Sequence, residues 1–126
     1  MVKRVIPTPS AVKPIGAYSI AAEAGGLVFF AGTVALDPAT NQPVGGDAAD
    51  QARRVMENIR LALGDSGLGF DDVVKTTVFL ADMADFAAVN EVYADYFPVE
   101  PPVRSTVGGV SLPAGFLLEI EVVAGR

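Results

Sequence analysis

The sequence contains neither cysteine nor histidine. The first absence excludes disulfides and thiol nucleophiles, and the second excludes Ser-His-Asp and Cys-His catalysis; together they remove every His- or Cys-ligated metal site. Any chemistry has to come from Asp, Glu, Lys, Arg, Tyr, Ser, Thr, Asn and the backbone. Long apolar runs are missing too. The longest, such as residues 27–31, fall far short of the roughly 18 residues that a membrane span needs. The N-terminus carries Lys3-Arg4 but then reads Val5-Ile6-Pro7-Thr8-Pro9, without the apolar stretch of a signal peptide. A soluble, cytoplasmic protein is expected. Positive charge is scarce: nine Lys and Arg face 15 Asp and Glu, for a net charge of -6. Only Lys3-Arg4 and Arg53-Arg54 are adjacent. That distribution argues against nucleic acid as a partner, because phosphate binding needs a basic groove or stripe. No phosphate-binding loop of the G-x-x-x-x-G-K kind occurs either, so neither metal nor nucleotide is expected to be required.

With 126 residues the chain is long enough for one core and too short for two, and a single domain over 1–126 is expected. No internal repeat or linker divides it. Residues 26–36 are β-rich, and a loop from Asp37-Pro38 to Gly45-Gly46 follows. Asp47 opens a helix, favoured by Asp50 three residues on. Ala52, Val55, Met56, Ile59 and Leu63 share one face of that helix before Gly64 and Gly67 end it. Residues 73–80 alternate as a strand, with Val74, Thr76, Val78 and Leu80 expected on one side. Asp82 begins a second helix whose apolar face carries Phe86, Val89, Tyr93 and Phe97, and Pro98, Pro101 and Pro102 stop it. Further strands are expected at 103–107 and 116–124, with shorter ones near 18–23 and 3–6. The order β-β-β-α-β-α-β-β predicts an α+β domain with one mixed sheet and two helices on one face. Strand 27–36 is apolar on both sides. Since two helices cover only one face, the other is expected to meet another copy of the chain.

A few residues stand out chemically. Arg104 sits in Val103-Arg104-Ser105-Thr106-Val107 after three prolines; a stiffly held guanidinium can grip a carboxylate bidentately, or form an ordinary ion pair. Glu119 and Glu121 share a face of an otherwise apolar strand. Such carboxylates need partners, either Lys75 or an Arg in a structural pair or a water whose proton one of them handles. Asn90 falls beside the buried face of its helix, where a satisfied structural amide is the plain alternative to a binding role. Tyr18 can donate its phenol to a substrate or simply pack. Gly32 in mid-strand suggests a close approach of backbone or ligand, or equally a bulge.

Taken in order, these residues resemble the RidA/YjgF family, also called L-PSP, over essentially the whole length. The matching segments are Ile15-Gly16-Ala17-Tyr18-Ser19, residues 28–32, 51–58 and 72–80, Asp85-Phe86 with Val89-Asn90 and Tyr93, Pro102-Val103-Arg104-Ser105, and Leu112-Pro113 with Glu119-Ile120-Glu121. The resemblance implies a chorismate-mutase-like fold and a homotrimer with sites in the clefts between subunits. It also implies 2-iminobutanoate/2-iminopropanoate deaminase activity, the hydrolysis of reactive enamines or imines to 2-keto acids and ammonia. By that resemblance Arg104 clamps the substrate carboxylate, Glu119 orients or deprotonates the attacking water, and Tyr18 hydrogen-bonds in the pocket. Ala31, Gly32, Asn90 and Thr106 are then substrate-binding positions, and no metal or organic cofactor is implied. Where many relatives read Gly-Pro-Tyr-Ser-Gln and Ser-Gly-Gln, this chain has Gly16-Ala17-Tyr18-Ser19-Ile20 and Ala31-Gly32-Thr33. Thr106 replaces a common cysteine. The rim is thus less polar, which is compatible with an imine deaminase specialised to one pathway. The competing expectation is a non-catalytic trimer that binds small 2-keto acids, which would use Arg104 but not Glu119. An endoribonuclease role fits poorly with the acidic charge.

Overall fold

The computed structural model describes residues 2–126. Its strands are β1 (Arg4–Val5), β2 (Ala21–Ala24), β3 (Leu27–Thr33), β4 (Val73–Leu80), β5 (Val103–Val107) and β6 (Leu118–Gly125), with helices α1 (Ala48–Asp65) and α2 (Phe86–Tyr96). The chain is an α+β domain built on one six-stranded mixed sheet in the order β1-β2-β3-β6-β4-β5. All neighbours are antiparallel except β4 and β5. A parallel pair needs a crossover, and α2 supplies it. Both β3 and β4 run antiparallel to β6, so they run parallel to each other, and α1 is the crossover of a split βαβ unit. Because such crossovers are almost always right-handed, both helices land on one face of the sheet.

Helix α1 starts where its capping residues predict. The Asp47 carboxylate accepts from the Asp50 N–H at 2.9 Å and Asp50 returns the bond to the Asp47 N–H at 3.2 Å, a reciprocal capping box. Val55, Met56, Ile59 and Leu63 point at the sheet and meet Val28, Phe30, Val78, Leu80, Leu118, Ile120 and Val122, all buried. Each such side chain contributes roughly 1.5–3 kcal/mol by leaving water. Val89, Val92 and Tyr93 of α2 complete the layer.

Five local expectations are corrected. The strand expected over 27–36 ends at Thr33, because Ala31 and Gly32 form a bulge against β6. The chain beyond it is drawn off by Asn58, whose Nδ2 donates to the Val34 and Leu36 carbonyls at 3.2 and 2.8 Å. In β4 a second irregularity between Val73 and Lys75 shifts the alternation, so Val73 is buried and Val74 is exposed. Asp82 caps a short 3-10 turn, Met83–Asp85, and α2 proper begins at Phe86, which stays exposed instead of joining the core. Gly64 lies inside α1, and Ser66 caps the helix. The strand after Tyr18 starts only at Ala21, since residues 16–18 are in a turn closed by the Tyr18 N–H on the Gly16 carbonyl at 3.0 Å.

The second face of the sheet carries no helix. Leu27, Phe29, Val103 and Val107 lie on it and are exposed, Phe29 by 48%. Among the described residues no helix is long and apolar enough to cross a membrane.

Candidate active site

Residues of β6 alternate between the two faces. Leu118, Ile120 and Val122 lie under the helices, so Glu119 and Glu121 point out of the uncovered face. There Glu119 closes a cavity of about 310 Å3 that Tyr18, Ala31, Gly32, Ile15, Val34 and Pro113 also line. Gly32 is what allows the carboxylate to lie there. A Cβ at this position would be 2.8 Å from the Glu119 Cδ and 2.9 Å from Oε2, so any side chain would displace the carboxyl. The bulge expected as one alternative at Gly32 is present, and the group packed against it is the Glu119 side chain, not the backbone or ligand of the other alternative.

Glu119 takes part in none of the side-chain hydrogen bonds or ion pairs among the described residues, and neither Lys75 nor an arginine pairs with it. Burial raises its pKa above the ordinary carboxylate value, and the neighbouring Glu121 charge raises it further. Tyr18 is held beside it by its own loop: the Ile15 N–H donates to the phenol oxygen at 3.2 Å, leaving the O–H proton free to point into the cavity. The Ala31 backbone is already committed, its N–H to the Ile20 carbonyl at 2.9 Å and its carbonyl to the Thr33 hydroxyl at 3.3 Å.

Arg104 is elsewhere. In the parallel pair it sits opposite Thr76, a residue buried under the helices, whereas Glu119 sits opposite Phe79. Even and odd positions of β4 face opposite ways. Arg104 therefore leans toward α2, where its Nη1 donates to Asn90 Oδ1 at 2.7 Å. Its guanidinium carbon lies 4.8 Å from the Tyr93 ring centroid and 5.5 Å from that of Phe86. Arg104, Asn90 and Tyr93, with Phe97, Pro101 and Pro102, border a second cavity of about 350 Å3. Thr106, opposite Val78, is on the same face one step along the strand and lines neither cavity.

One chain thus gathers the candidate residues into two separate groups: Tyr18, Ala31, Gly32 and Glu119 on the uncovered face, Asn90 and Arg104 at the helix-side edge. It does not join them. A larger cleft of about 460 Å3 between α1 and α2 is lined by Arg53, Arg60, Phe70 and Tyr96. Its cations are already matched, Arg60 by Glu57 and Arg53 by Asp50, so it offers no clamp for a carboxylate.

Two residues that position the site were not singled out in the sequence. Buried Gln51 accepts from the Leu117 N–H at 3.0 Å through Oε1 and donates to the Gly46 carbonyl at 3.4 Å, fixing the start of the strand that carries Glu119. Asn58 fixes the chain just past Gly32, as described above. The available signal was a pair of amides seven residues apart in the apolar stripe of α1, two turns apart on one face.

The family model described as Endoribonuclease L-PSP matches residues 8–125. The chain belongs to the L-PSP (RidA/YjgF) family. A RutC family protein from Pyrococcus horikoshii is 49% identical over 122 residues, covering 97% of each chain. The 2-iminobutanoate/2-iminopropanoate deaminase of Homo sapiens is 40% identical over 124 residues, 98% of this chain and 90% of that one. The crystal structure of RidA from the Antarctic bacterium Psychrobacter sp. superposes with a TM-score of 0.92 at 35% identity, over 98% of this chain and 99% of the other. The family's relatives thus include enzymes named as imine deaminases, and the α+β architecture is the one this family shares.

Proposed function

We propose that the protein is a cytoplasmic homotrimer that hydrolyses 2-imino acids such as 2-iminobutanoate and 2-iminopropanoate to 2-keto acids and ammonia. The observation that carries this is Glu119, a half-buried carboxylate without a protein partner, seated on Gly32 in a cleft beside Tyr18. A carboxylate in that state is a stronger base than a solvated one and remains available to a water. The apolar uncovered face and the separation of Arg104 from Glu119 favour assembly, because a neighbouring copy is needed to bring an Arg104 edge to a Glu119 cleft. The deaminases among the relatives support the same chemistry.

The steps balance with these residues alone. Arg104 binds the substrate carboxylate. Water adds to the carbon of the protonated imine as Glu119 takes its proton, forming a neutral carbinolamine. Glu119 returns that proton to the nitrogen, the C–N bond breaks, and ammonia leaves as Glu119 takes the hydroxyl proton and the hydroxyl oxygen becomes the keto oxygen; that last proton passes to the ammonia, which departs as ammonium. An iminium carbon is already electrophilic, so fixing the carboxylate and the water supplies most of what the reaction needs. The acidic net charge disfavours an RNA substrate despite the family's description.

The test separates binding from turnover. Arg104→Ala is expected to remove about 1.5–3 kcal/mol of keto-acid binding along with hydrolysis. Glu119→Gln is expected to retain keto-acid binding but slow imine hydrolysis on the order of 10²-fold, measured as keto-acid release from imine generated in a coupled assay. Unchanged hydrolysis in Glu119→Gln would make Glu119 structural. Keto-acid binding without turnover of any imine would establish a binder instead.

A further inference from the structure

The guanidinium of Arg104 has one of its edges and one of its faces defined by groups behind it. Asn90 takes an Nη1 proton at 2.7 Å, and the Tyr93 ring lies under the guanidinium at 4.8 Å. That ring is itself fixed: Tyr93 is buried, and its hydroxyl shares a hydrogen bond of 2.7 Å with the hydroxyl of Thr76, the residue opposite Arg104 in the neighbouring strand. We propose that Tyr93 is a positioning residue for Arg104, with the Thr76–Tyr93 hydrogen bond fixing the aromatic face that holds the guanidinium in one plane. This rests on the carboxylate-clamp role of Arg104 put forward above.

The geometry explains what the sequence spacing does not. An arginine on an edge strand is free to swing over many rotamers, and ordering it costs affinity each time a ligand binds. Stacking on an aromatic ring removes one face from solvent and leaves in-plane approach as the productive one, which is the approach that bidentate carboxylate recognition requires. Among the described residues the Nε–Nη2 edge has no partner. The ring's para position decides its tilt, and at that position Thr76 offers a hydroxyl in an otherwise apolar layer. Burial raises the pKa of the Tyr93 phenol above its ordinary value. Phe86 adds a second, exposed ring at 5.5 Å.

The experiment follows the guanidinium directly in the assembled protein. The Nε–H signal of Arg104 is assigned in 15N spectra by its loss in Arg104→Lys. The wild-type signal is expected to be sharp and slow to exchange with water. Tyr93→Leu should broaden it and speed its exchange, while raising KM for the imine and Kd for 2-oxobutanoate about fivefold to tenfold with kcat changed less than about twofold. Tyr93→Phe keeps the ring and removes only the bond to Thr76, and it should give a smaller change in the same direction. A residue that merely filled the core would lower stability in both variants without moving the Nε–H signal, and that result would overturn the proposal. If Tyr93→Leu does not fold, an unchanged Nε–H exchange rate in Tyr93→Phe overturns it equally. If the signal responds but the wild-type protein binds no keto acid, the deaminase assignment fails while the positioning of Arg104 stands.

Discussion

The two faces of the sheet treat polar groups in opposite ways. Under the helices every buried amide and hydroxyl is matched: Asn58 with two carbonyls and Arg54, Gln51 with Leu117 and Gly46, Thr76 with Tyr93. Glu57, at the rim of that layer, accepts from the Tyr96 hydroxyl at 2.7 Å and from Arg60. Its pKa is lowered by the Tyr96 bond above all, while Tyr96, partly buried and facing that carboxylate, is pushed up to about 12. On the uncovered face Glu119 has no such partner and its pKa moves the other way. A satisfied polar group stabilises the fold, whereas an unsatisfied one adds a cost that folding alone does not repay. The difference separates scaffold from site within one small domain.

The largest test of this contrast is to charge the bare face. Phe29→Asp is expected to abolish the proposed trimer, read as monomer mass by light scattering, and to abolish imine turnover with it. The circular dichroism of the monomer should remain that of the folded chain, since Phe29 contributes nothing to the layer under the helices. A Phe29→Asp protein that stays trimeric would mean that other contacts hold the copies together.

Next in size is the loss of a matched group. Asn58→Ala strips two carbonyls and the Arg54 side chain of their partner at a site that is 1% exposed, and should lower unfolding free energy by about 2–4 kcal/mol in urea titrations. A loss below about 1 kcal/mol would show that water replaces the amide, and the covered face would then be less dry than the hydrogen-bond geometry indicates.

The smallest effect is a pair of opposite pH dependences. Glu119 holds its proton more tightly folded than unfolded. Its cost is therefore absent below the ordinary carboxylate pKa of 4.5, grows as pH rises from there to its raised folded value, and is constant above. Glu119→Gln should thus raise Tm near neutral pH by a few degrees at most, with the gain vanishing below about pH 4. Glu57 is the mirror case. Its stabilisation is present above 4.5 and disappears as pH falls through its lowered folded pKa, so Glu57→Gln should lower Tm at neutral pH and not in acid. Calorimetric scans of both variants across this range would check the signs, and equal signs would remove the distinction between the two carboxylates.

Much of the architecture was legible because local chemistry and periodicity agree. Asp47 and Asp50 mark a helix start by a reciprocal pair of side-chain bonds that needs nothing beyond the helix itself. The alternation of residues 118–124 shows which side of β6 is apolar wherever that strand is placed. What was not legible came from contacts distant in sequence. Phe86 has the right spacing for a core residue but is the first residue of α2 and stays exposed beside Arg104. Residues 34–36 have strand composition, yet Asn58 captures their carbonyls and ends β3 at the bulge.

The site divides along the same line. The sequence by itself determined the catalogue of possible chemistry, since a chain without His or Cys leaves carboxylates, an arginine and a phenol, and it determined which of these sit in apolar strands. Only the tertiary structure decided that Gly32 lies against Glu119 and that Thr76 fixes the ring beneath Arg104. It alone decided, too, that Glu119 and Arg104 leave the sheet on opposite sides. Strand periodicity gives the faces of each strand separately. The register between strands, set by two bulges and a parallel crossover, determines which of those faces coincide.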